Sequence, residues 1–148
     1  MTNRFIKEEI VGTWKLLSWV YYDNDNKPVH YFGESVEGIL MYDKSGLMNA
    51  QLMRPERPLF NSTSINSGTQ EEIRMAFDGY LAYYGKYEET RPGEIVHTVE
   101  GSLLPNWIGS KQVRYARVEG DELLIYTPPI PSQQGEVVFY LKWVRISG

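Results

Sequence analysis

The lengths of the links between strand-like segments constrain this chain more than any motif does. Eight segments rich in aromatic and β-branched residues are bounded by Gly, Pro, Asn and Asp. They run about 13–22, 36–42, 47–53, 83–89, 95–102, 111–118, 122–127 and 137–146. The links after the second, fourth and sixth are tight: DKSG, RPGE and EG. Those after the first, third, fifth and seventh are long, and carry DNDNKP, RPERP with NSTSINSG, LLPNWIG and PPIPSQQG. In an antiparallel meander alternate connections lie at opposite ends. Every tight turn then falls at one end and every long loop at the other. A barrel with a closed floor and an open mouth needs this alternation, whereas a sandwich with crossing connections does not. The expected fold is all-β, an eight-stranded antiparallel up-and-down barrel.

One helix is expected, in the connection between the third and fourth strands. Thr69 and Glu72 form a capping box, and Ile73, Ala76, Phe77, Tyr80 and Leu81 keep helical spacing. The spacing predicts a helix over 69–82, lying across or beside the mouth. Gly79 inside it costs ~1 kcal/mol relative to Ala.

The 148 residues are expected to form one domain, 1–148. The chain has no cysteine, so neither disulfides nor thiolate chemistry are available. A net charge of −4 argues against nucleic acid and anionic membrane as partners. The opening MTNRFIKEEI lacks the apolar run of a signal peptide, and no stretch reaches the ~20 apolar residues of a membrane span. A cytoplasmic protein is the expectation. Eleven Tyr, four Trp and five Phe suit strands and a cavity for an apolar ligand.

In the meander the first strand starts at the floor and the last strand ends there. Trp14, in GTW, and Arg145, in WVRI, therefore meet at the floor. A ring plugging the barrel bottom with a guanidinium stacked on it is a sensible closure. The plainer alternative is a core Trp and a solvated terminal Arg.

These two pieces resemble the Gly-x-Trp signature and the late Arg of the calycin superfamily. GTWKLLSW, YFGESVEGILMYDKSGLMNAQLMRPERP, AFDGYLAYYGKYE and HTVEGSLLPNWIGSKQVRY resemble, in order, blocks of the bacterial and fungal lipocalin-like domain family. The resemblance covers most of the chain. It implies a small β-barrel with an internal cavity and a role with a hydrophobic ligand or substrate. The absence of cysteines departs from secreted lipocalins.

Few residues offer chemistry. His30 and His97 are the only histidines, and no HExxH, CxxC or paired-His spacing occurs, so no metal is expected. No GxGxxG, Walker-type loop or Gly-x-Ser-x-Gly elbow is present, so no cofactor is expected. His97 points inward if Ile95 and Val99 do, with Val96, Thr98 and Glu100 facing out. It is then a hydrogen-bonded core His, a ligand contact, or the candidate catalytic acid/base. An inward imidazole makes binding of a neutral ligand weaken below about pH 6.

Arg114 depends on register. A two-residue EG turn pairs Ala116 with Leu123 and Arg114 with Ile125. If Leu123 and Ile125 face inward, Arg114 enters the barrel near the mouth and needs an anionic partner. If Leu124 and Tyr126 face inward, Arg114 is solvated. Tyr42 and Tyr87 are candidate cavity liners or core. Trp107, in a mouth loop, packs on the helix or covers a ligand. Arg54 and Arg57 also fall at the mouth, where they steer an anion or remain solvated surface.

Three functions fit this reading. The first is binding of a small apolar, weakly acidic molecule in the cavity. The second is an isomerase or cyclase using His97, with Arg114 or a Tyr stabilising an oxyanion. The third is a filled barrel that acts through an exposed face as an interaction module.

Overall fold

The structure is a computed structural model that describes residues 4–148; the first three residues of the opening segment lie outside it. A one-turn helix, α1 (Lys7–Ile10), precedes β1 (Gly12–Tyr22), and the short β2 (Pro28–His30) folds back on β1. Then come β3 (Glu37–Tyr42), β4 (Leu47–Met53), α2 (Gln70–Asp78), β5 (Tyr80–Arg91) and β6 (Glu94–Ser102). One turn of 3-10 helix (Pro105–Trp107) leads to β7 (Lys111–Glu119) and β8 (Glu122–Tyr126). A small hairpin of β9 (Ile130–Ser132) and β10 (Gly135–Val137) precedes β11 (Tyr140–Ser147). The barrel order is β1-β3-β4-β5-β6-β7-β8-β11, and β11 closes it on β1. This is the expected closed, eight-stranded antiparallel barrel. The helix α2 joins the third and fourth barrel strands, which are β4 and β5 because β2 stands outside that order.

Side-chain alternation builds the interior. In β4 the sequence LMNAQLM buries Met48, Ala50 and Leu52 and leaves the residues between them more exposed. On the outer wall Tyr115, Tyr126 and Tyr140 are direct cross-strand partners. Their rings lie 5.0 and 6.0 Å apart, a tyrosine ladder that supports the sheet from outside.

The floor carries the three tight turns and α1. Trp14 is fully buried there, and its indole N–H donates to the Ile10 carbonyl at 2.9 Å. The Arg145 guanidinium lies 4.2 Å from the centre of the Trp14 ring. It donates to the Val11 carbonyl at 2.9 Å and to the Glu9 carbonyl. Gly12 makes this possible: it sits at φ +137°, and a Cβ there would lie 2.6 Å from the Ser147 oxygen and 2.8 Å from Arg145 Nη1. Glu89 of β5 holds α1 in place by accepting from the backbone N–H groups of Ile6 and Lys7.

Several boundaries differ from the sequence reading. The helix spans Gln70–Asp78, not 69–82; Thr69 and Glu72 form its capping box. Gly79 is its C-cap, not an interior residue, and Tyr80 and Leu81 already belong to β5. None of its residues is buried, so its apolar side covers the mouth loosely. The last barrel strand starts at Tyr140, and Val137 belongs to the hairpin. Val96, expected to face out, is buried. The β7–β8 turn is Gly120–Asp121, with Gly120 at φ +61° and Glu119 opposite Glu122. Ala116 therefore faces Ile125, and Val118 faces Leu123; the pairings Ala116–Leu123 and Arg114–Ile125 do not form. The displacement is two residues, so the inward-facing set is unchanged.

Candidate functional site

Inside the mouth lies a cavity of about 570 Å³. Trp19, Phe32, Leu52, Trp107, Phe139 and Trp143 supply much of its apolar wall, and Phe77 of α2 reaches its rim. Trp19 packs on Tyr31, Phe32 and Phe139 with ring centres 4.8, 4.8 and 5.6 Å apart. Two mouth arginines brace this edge. Arg54 lies 5.3 Å over the Phe32 ring and donates to the Tyr31 carbonyl. Arg57 lies 5.1 Å over Tyr80 and donates to the Ala76 carbonyl of α2. A larger concavity, about 1230 Å³, lies along the outer wall, where it meets outward-facing residues such as Tyr22, Tyr126 and Lys142. The polar groups that converge inside the barrel belong to the mouth cavity.

Tyr83, His97 and Arg114 form that polar set, with Tyr42 behind His97. His97 is 2 % exposed, on the inward face of β6 with Ile95 and Val99. Its Nε2 lies 2.7 Å from the Tyr42 hydroxyl and its Nδ1 2.8 Å from the Tyr83 hydroxyl. Burial pushes the imidazole down to about 3, and the Arg114 charge pushes the same way. The expected change in binding near pH 6 is thereby lost, because the ring stays neutral throughout that range. Burial also raises the Tyr42 and Tyr83 phenols, and both remain protonated at neutral pH.

Arg114 is 8 % exposed and enters the barrel from β7. Nη1 donates to the Val113 carbonyl at 2.8 Å. Its positive charge acts on both Tyr83 and His97. Among the described residues no Asp or Glu forms an ion pair with it. A buried guanidinium left so is costly, and an anion entering the cavity would relieve it.

The structure brings His97, Arg114 and Trp107 together at the cavity. Trp107 packs edge-on against Tyr83, with ring centres 5.4 Å apart. Tyr42 and Tyr87, candidates for cavity lining or core, do not line it and pack in the core, so neither is a direct ligand contact. Tyr42 sits behind His97, and Tyr87 turns its hydroxyl to the Asp43 carbonyl at 2.6 Å, near the floor. Sequence reasoning missed Tyr83. A signal was present: Tyr83 and Tyr87 share a face at four-residue spacing, and Tyr87 lies opposite His97. It also missed Trp19 and Trp143, each of which buries an indole N–H with no partner among the described residues. Among those residues no group of three His, Asp or Glu is placed to hold a metal.

A family model described as a lipocalin-like domain matches residues 11–146. The chain belongs to the lipocalin-like domain family. A similar protein of Aspergillus oryzae is named as a 4'-hydroxy-3'-methoxypropiophenone carrier protein. It is 36% identical over 107 residues, which cover 67% of this chain and 96% of that protein. Carrying or binding a small molecule is thus the role that family and relative indicate. In this lipocalin-like barrel no helix among the described residues is long and apolar enough to cross a membrane.

Proposed function

We propose that this protein binds and carries a small, aromatic, weakly acidic molecule in the mouth cavity. The observation that carries the reading is Arg114, a buried guanidinium without a carboxylate partner on the wall of a cavity of about 570 Å³. The aromatic wall suits a flat apolar body, and Arg114 suits one ionised or partly ionised oxygen on it. The fungal relative's name describes a hydroxyaryl ketone, a ligand of this class.

The cavity volume weighs against a filled barrel that acts only as an interaction module. The isomerase or cyclase alternative would make His97 the proton carrier. Both ring nitrogens are already engaged by tyrosines, which favours binding over proton transfer.

Calorimetric titration with 2-naphthoate and with naphthalene tests the proposal. The wild type should prefer the carboxylate, and Arg114→Met should weaken 2-naphthoate by roughly tenfold or more while leaving naphthalene unchanged. Equal loss of both probes, or no loss of either, removes Arg114 from recognition.

A further inference from the structure

The Tyr42–His97–Tyr83 chain has only one arrangement of protons that suits its surroundings. A neutral imidazole donates from one nitrogen and accepts at the other. If Nε2 carried the proton, it would donate to Tyr42, and the Tyr42 hydroxyl would have to donate elsewhere. Tyr42 is buried behind His97, and its contact with Nε2 is its one hydrogen bond among the described residues. The orphaned O–H would lie where neither water nor ligand reaches it. With the proton on Nδ1, Tyr42 donates to Nε2 and Nδ1–H donates to the Tyr83 oxygen. Arg114 also faces that oxygen. The leftover proton then sits on the Tyr83 hydroxyl, and Tyr83 lines the cavity.

The other buried nitrogen groups of the lining are donors as well, whereas its acceptor-bearing residues Asp78, Ser132, Gln133 and Gln134 are exposed. Arg114 is donor-only, as are the buried and unpartnered indole N–H groups of Trp19 and Trp143, two further cavity-lining residues. We infer that the cavity selects ligands by an acceptor oxygen, that the Tyr83 hydroxyl donates to the carbonyl oxygen of an aromatic ketone, and that His97 is the positioning residue that turns this proton into the cavity. This rests on the proposed binding role and deepens it. His97 needs no titration for its part, since the Nδ1–H tautomer alone aims Tyr83.

Propiophenone and propylbenzene are a matched pair, alike in ring and chain and differing in the carbonyl. Titration calorimetry on the wild type should show propiophenone about tenfold tighter, the worth of one well-made hydrogen bond. In Tyr83→Phe that preference should vanish while propylbenzene binds as before, which also reports an intact cavity. The carbonyl stretch of bound propiophenone should move to lower frequency in the wild type and not in Tyr83→Phe. Nitrogen-15 spectra of His97 should place the proton on Nδ1. A preference that survives Tyr83→Phe, equal binding of both probes by the wild type, or a proton on Nε2 would overturn the inference. Of these, equal binding leaves the carrier reading intact. Binding of neither probe, with 2-naphthoate also rejected, would overturn that reading as well.

Discussion

His97 titrates at about 3 in the fold against 6.5 for an ordinary imidazole, chiefly because it is buried and secondly because Arg114 lies near. Between these two values the unfolded chain takes up a proton that the folded chain refuses. Stability is therefore fully present above pH 6.5 and falls as the pH drops towards 3. Below about pH 6 the slope approaches ~1.4 kcal/mol per pH unit. From pH 7 to pH 5 the loss comes to about 2 kcal/mol, a large share of the ~5–15 kcal/mol that holds a domain together. Asp43 and Glu72 are held below their ordinary values by hydrogen bonds from nearby residues. Their contribution is present above about pH 4 and fades below it, so the range from 5 to 7 isolates the histidine. Urea unfolding at pH 7, 6 and 5 measures the effect in wild type and in His97→Gln, whose amide does not titrate. The wild-type midpoint should fall with pH and that of the variant should stay level. Parallel curves, or a level wild type, would refute the buried neutral imidazole.

Two further perturbations test the ends of the barrel. Arg145→Ala removes the guanidinium from Trp14 and leaves the Val11 and Glu9 carbonyls without that donor; chemical denaturation should register a loss of about 3 kcal/mol. A loss under ~0.5 kcal/mol would show that the floor closes without it. Thr69→Ala deletes the capping box of α2, worth about 1 kcal/mol to that helix. Because α2 buries none of its residues, hydrogen exchange of amides 73–77 should quicken roughly fivefold while the global midpoint moves little.

The barrel was legible because period two and link length are properties of the chain itself. The alternation of DKSG, RPGE and EG with long loops places both ends of the barrel without any knowledge of contacts. The inward face of β7 survived an error in its turn, since a slip of two residues preserves parity. The helix was overrun because Tyr80 and Leu81 fit its spacing, yet strand pairing with Met53 and Leu52 takes them. The site was harder to read. Tyr42, Tyr83 and Tyr87 all face inward on the same stretch of wall, and nothing local separates them. Only the position of His97 decides that Tyr42 lies behind it, Tyr83 in front of it, and Tyr87 towards the floor.

The two inward arginines carry the same lesson into function. Arg114 in QVRYA and Arg145 in WVRIS have nearly the same neighbours and the same strand setting. They differ in what a distant segment offers them. At the floor, α1 ends with its last carbonyls turned towards β11. Those of Glu9 and Val11 accept from Arg145, and the Trp14 ring takes its face. A helix C-terminus is a natural seat for a cation, so the charge is settled within the fold. At the mouth Arg114 donates to the carbonyl of its own neighbour, Val113, and faces the Tyr83 hydroxyl, both neutral partners. It lines a cavity walled largely by aromatic rings, where among the described residues no carboxylate forms an ion pair with it. The same side chain closes the barrel at one end and, in the proposed function, receives a guest at the other. The length and placement of α1, rather than any motif around the arginines, draws that distinction.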